Sequence, residues 1–195
     1  LEEYIDTSRY LTPFSDVVAL LVLEHQVTVQ NLVTRAAFKV PQVLGLRGDR
    51  ASWPQRWAQL PAADQRRARP MLDALVKALF FHEAAPLSGR IHGSNGFAAR
   101  FAVQGPLAAD GRSLREFDLA SRLFRHGLSF QVHSPQMAAL PPFMTDYLYG
   151  SIAALLRGEA AAGLPGTLLT ATERTALREI LQGTLPFMAS GALHP

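Results

Sequence analysis

Residues 16–38, DVVALLVLEHQVTVQNLVTRAAF, join seven consecutive apolar residues, Val17 to Leu23, to polar groups that recur at helical spacing. At about 100° per residue, Glu24, Thr28, Asn31 and Arg35 fall within a wedge of roughly 60°. His25 projects about 100° away, onto an arc shared with Val18, Val22, Val29, Leu32 and Ala36. A helix this apolar at one end is expected to be largely buried, and buried polar groups need partners. The stripe is therefore expected to form either a polar seam inside the protein or the wall of a ligand pocket. In the second case Arg35 is placed to hold a carboxylate or propionate. His25, among aliphatic residues, reads first as a satisfied core histidine and second as a ligand.

A chain of 195 residues with 48% apolar content suits one domain with a real core. Charged residues make up only 18%, below the usual quarter, and Phe occurs 11 times. That combination suggests extra buried surface, such as a face covered by another chain. The net charge is +3, and lysine stands only at Lys39 and Lys77, so the base is almost all arginine. Arg47, Arg50, Arg56, Arg66, Arg67 and Arg69 make a basic region, but Asp49, Asp64 and Asp73 are interspersed. Nucleic acid would require a denser charge and a reading motif, so an acidic protein partner or a solvated face is expected instead. Without cysteine the chain has no disulfide framework, no thiolate nucleophile and no covalent c-type haem attachment of its own. No continuous apolar run is long enough to span a bilayer, so no membrane span is expected. The chain opens on Leu1 and not Met, as either removal of an export leader or simple trimming of a longer chain would leave it.

The expected fold class is all-α: a single domain, 1–195, of about five helices with long Gly/Pro-rich connections. Residues 1–13 read as an arm. Ser15 or Asp16 caps a helix to about Phe38 that stops before Pro41. Residues 41–61 read as a turn-rich connection with Trp53 and Trp57 as anchors. A helix over 62–84 is either kinked or restarted at Pro70. Residues 85–112, with five glycines, read as a long loop around an extended piece at 97–103. The capping-box pattern Ser113-Leu-Arg-Glu116 predicts a helix to about His126, closed by Gly127. Residues 129–133 are expected to be extended and 140–157 helical. Thr170-Ala-Thr-Glu173 opens a last helix to about Gln182, and 184–195 read as a tail.

Metal ligands are available at Glu24-His25, His82-Glu83, His92, His126 and His133, but their spacing fits no standard site. The Glu-x-x-His of di-iron bundles fails, because Val27 follows Glu24 and Pro86 follows Glu83 at the third position. Pro86 also breaks the zincin pattern after His82-Glu83. Non-covalent haem would need an axial histidine in an apolar pocket, for which His25 is the candidate. His92-Gly-Ser94-Asn-Gly96 resembles a nucleophile elbow, but glycine would have to stand at 92. Read as a phosphate cradle, the same segment lacks the Lys-Ser/Thr of a P-loop. A glycine-rich surface loop is the plainer reading.

Four stretches, SDVVALLVLEHQ (15–26), QNLVTRAAF (30–38), GRSLREFDLASRLFR (111–125) and ALPPFMTDYLYGSIAALLRG (139–158), together resemble a little-characterised family of bacterial proteins containing c-type cytochrome segments. The chain is similar to that family's C-terminal helical half, and members carry Cys-x-x-Cys-His upstream. The resemblance implies export to the periplasm and no cofactor in this chain, with haem on a missing segment or a partner. It also implies a non-catalytic domain that packs against the haem-bearing segment or chain and supports electron transfer. On that reading Glu24, His25, Thr28, Asn31, Arg35 and His92 are interface or ligand candidates, with no catalytic residue and no metal ligand among them. Two alternatives stand beside it: a small-ligand or enzymatic domain using the polar stripe, and a structural subunit of a larger complex.

Overall fold

Asp16 starts the first helix as expected. In the computed structural model, which describes residues 15–185 together with Asp6 and Ser8, its backbone is extended. Its Oδ1 accepts the N–H groups of Val18 (2.9 Å) and Ala19 (3.1 Å), two of the donors a helix start leaves free. Helix α1 (Val17–Val43) then runs beyond the expected stop and through Pro41. A proline this close to the end removes only one intrahelical bond. The chain closes by donating Leu44 N–H to Val40 O (3.1 Å) and Leu46 N–H to Pro41 O (2.8 Å). The expected arm at 1–13 lies outside the described residues apart from Asp6 and Ser8. So does the expected tail beyond Leu185.

Helix α2 (Trp53–Gln59) occupies part of the stretch read as a turn-rich connection. Asp49 caps the 3₁₀ turn before it, accepting Ala51 N–H at 3.0 Å, and Pro54 fits its first turn. Trp57 is an anchor as expected, stacked on Phe143 at 4.7 Å. Helix α3 (Ala62–Leu79) passes through Pro70 and stops short of the expected 84. Phe81 takes a left-handed conformation (φ 53°) and donates its N–H to Ala78 O, while His82 N–H goes to Lys77 O. That pair of bonds is the Schellman termination, here built on a phenylalanine instead of glycine.

Three local expectations fail for one reason: short-range side-chain bonds outcompete the helix or strand pattern. Residues 97–103 are not extended. Phe97–Ala102 forms a short helix, α4, entered through left-handed Gly96 and through Asn95, whose Oδ1 accepts Phe97 N–H. Residues 113–126 are not helical. Glu116 does reach back to Ser113 N–H (3.2 Å), but Asp118 then accepts the N–H groups of Ala120 and Ser121 and turns the chain. Phe117 and Phe124 pair across that turn, and Leu119 is left-handed at φ 60°. Residues 129–133 form a 3₁₀ turn, Phe130–His133, leading through Ser134 into α5 (Pro135–Ala138).

Helix α6 (Pro142–Arg157) appears where expected and closes on left-handed Gly158. Helix α7 (Ala171–Thr184) has both halves of its capping box and runs past Gly183. Helix α1 packs chiefly on α3, α3 on α6, and α6 on α7. Leu72, Leu75, Leu79, Leu148, Ile152, Leu156 and Leu177 fill the layer between them, all essentially inaccessible. The fold is all-α as expected, with seven α-helices where about five were expected and no strand among the described residues. Phenylalanine goes into an internal cluster more than onto a covered face: Phe81, Phe101, Phe117, Phe124 and Phe130 contact one another at ring distances of 5.1 to 6.3 Å.

Candidate functional site

The strained end of α3 is what builds the surroundings of His25. Left-handed Phe81 sets its ring 4.6 Å from the His25 imidazole, with Phe124 and Phe130 at 6.1 and 6.2 Å. His25 Nε2 lies 2.7 Å from Ser129 Oγ, and Ser129 Oγ also accepts Gln131 N–H at 3.1 Å. Ser129 is held in turn by its own N–H, donated to Leu79 O (2.8 Å). Burial pushes the His25 pKa down to about 4, so the imidazole is neutral at physiological pH. A serine and a histidine at this distance can form a nucleophilic pair. Here Ser129 is fully inaccessible, so the pair braces α1 against the 129–133 turn. His25 is half-buried at the edge of the aromatic cluster, with its ring nitrogen bonded to a buried serine.

The stripe beside it behaves differently. Glu24, Thr28, Asn31 and Arg35 are all exposed, and so are Val17, Leu20, Leu23 and Val27 at the apolar end of α1. The expectation that this helix is largely buried, with its polar groups in an internal network or pocket, is overturned. Only one face, with Val18, Val22, Val29, Val33, Ala36 and Val40, enters the core. Composition could not reveal this, because both faces of the first turns are aliphatic. By length and composition α1 could also cross a bilayer, which a search for a continuous apolar run misses. Its inner face is nevertheless packed on α3, α4 and α5.

His92 is exposed, and the loop around it is neither an elbow nor a phosphate cradle. It does bind an anion, the protein's own. Asp16 Oδ2 accepts the N–H groups of Ser94 (3.0 Å) and Asn95 (3.3 Å), while Oδ1 caps α1. A Cβ on Gly93 would stand 2.7 Å from that oxygen, so the close approach requires glycine there. Burial alone would raise the Asp16 pKa; the backbone donors outweigh it and hold the carboxyl below its ordinary value. Asp16 was legible as a cap, but nothing local marks its second role, because its partners lie 78 residues away.

The remaining histidines are dispersed. His82 is exposed beside Glu83. Buried His126 has Nε2 3.5 Å from Glu116, and its desolvation outweighs that carboxylate to keep its pKa low. His133 donates through Nε2 to Thr184 Oγ1 (2.9 Å), which itself donates to Ile180 O; burial holds its pKa near 4. Among the described residues no three metal-ligating side chains gather at one point. Two further features escape the sequence. Tyr147, which donates to Asp73, lines a cleft of about 350 Å³ together with Trp57, Arg69 and Phe143. Arg115 lies over the Phe101 and Phe130 rings at 4.6 and 4.9 Å.

The arginines around α2 divide by role. Arg56 is committed to the carbonyls of Arg47 (2.6 Å) and Gly45 (3.0 Å), and Arg67 to Asp64 (3.6 Å). Arg47, Arg50, Arg66 and Arg69 are exposed and pair with no carboxylate among the described residues. The Arg50 guanidinium lies 5.5 Å from the centre of the Trp53 ring, whose Nε1–H is without a partner. No family model, curated protein or solved structure matches the chain.

Proposed function

We propose that this chain is a non-catalytic helical domain that docks an acidic surface of a protein partner on the arginine belt around α2. The observation that carries the reading is the set Arg47, Arg50, Arg66 and Arg69: four exposed cations without carboxylate partners among the described residues, with the Arg50 guanidinium beside the half-buried Trp53 ring. Arg and Trp are the side chains that most often dominate protein interfaces, and unpaired arginine adds little to the stability of the domain that bears it. The resemblance of residues 15–26, 30–38, 111–125 and 139–158 supplies the partner's nature: a periplasmic segment or chain with covalently attached haem, positioned here for electron transfer. The stripe on α1 and His92 have no place in this docking site, and His25 acts as an internal brace.

Native purification followed by an absorption spectrum tests it. The expected result is a Soret band that co-elutes with the chain and is lost at raised ionic strength, which screens exposed charge pairs. The double variant R47E/R50E should shed the chromophore under low salt as well. A colourless chain, or a chromophore that stays bound in R47E/R50E, would overturn the proposal.

A further inference from the structure

The outer surface of α1 is covered by nothing else among the described residues. On it Val17, Leu20, Val27 and Phe38 are 43%, 54%, 46% and 75% exposed. With Glu24, Asn31 and Thr34 they follow alternating steps of three and four, the seam spacing of two paired helices. Exposed aliphatic and aromatic groups in one line are the usual mark of an interaction surface. The seam carries Glu24, and Arg35 flanks it; neither is ion-paired among the described residues. They stand about 16 Å apart along the axis.

We propose that a second copy of this chain covers that face, the two α1 helices running antiparallel about a twofold axis level with residue 29. The charges decide between orientations. A parallel pair sets Glu24 on Glu24 and Arg35 on Arg35, whereas the antiparallel pair sets each Glu24 beside Arg35 of the second copy. The same register puts Leu20 against Phe38 and Val27 against Asn31 of the second copy. Both contacts occur twice, as a closed twofold interface requires. This surface meets the arginine belt at Phe38, which lines one cavity with Arg47, Arg50 and Trp53; its charge pair, Glu24 and Arg35, lies outside that cavity, so separate variants test self-pairing and partner docking. A monomer that keeps the coloured partner defeats the pairing alone, and a dimer that sheds it defeats the docking alone.

Light scattering on the full chain, with the single variants E24R and R35E and the charge swap E24R/R35E, tests the pairing. The wild type should have twice the chain mass at micromolar concentration. Each single variant should raise the dimer dissociation constant at least about tenfold, and the swap should restore it. Circular dichroism confirms folding, which exposed substitutions leave intact. The mass of one chain at every concentration overturns the pairing. So does a swap no tighter than the single variants, or a monomer that uses this face to bind anionic lipid vesicles.

Discussion

At the scale of single residues, the two best-placed polar groups point inward and hold the fold. His25 and His133 are kept near pKa 4 chiefly by burial, against about 6.5 in an unfolded chain. Between those values the unfolded state binds the extra protons, so stability is complete above about pH 6.5 and falls as the pH drops towards 4. Each imidazole contributes at most about 3 kcal/mol to that slope. Chemical denaturation across this range should show it, and H25F, which keeps the aromatic packing, should flatten part of it. Asp16 gathers four backbone donors from two distant segments. Asp16→Ala is expected to destabilise by about 2 kcal/mol, with faster hydrogen exchange at the Ser94 and Asn95 amides. Gly93→Ala presses a methyl against the same carboxylate, so its cost and that of Asp16→Ala should not add.

Elements were legible where local chemistry and long-range packing agree. Thr170 and Glu173 make both reciprocal bonds of a capping box, and α7 follows; Ser113 and Glu116 show the same letters, and a turn follows. The difference lies beyond the cap. Leu177, Ile180 and Leu181 give α7 a buried stripe, whereas Phe117 and Phe124 belong to the aromatic cluster and are brought there by a tight reversal. Thr170→Ala should therefore cost about 1 kcal/mol and loosen the first turn of α7, measurable by hydrogen exchange, while Ser113→Ala leaves helix content unchanged. The left-handed turn at Phe81 ended α3 early with no glycine to announce it. Its strain, of the order of 1 kcal/mol, is offset by ring contacts with His25 and Phe124.

At the scale of the whole molecule, the all-α class and the main helices could be read from the sequence, but the orientation of α1 could not. An aliphatic first half fits a core helix and a surface helix with a sticky outer face equally well. Only the packing of α3 settles which arc is covered. The outcome places the histidine half inside and the stripe outside, and the surfaces proposed to act are the arginine belt and the outer face of α1. The central structural claim is that His25 is a half-buried, neutral brace bonded to Ser129 and not a freely titrating acid or base. Proton-detected NMR titration of the His25 imidazole tests it most directly. The account expects no protonation of His25 until the pH approaches 4. A free titration near 6.5, the value of an unperturbed histidine, would contradict it.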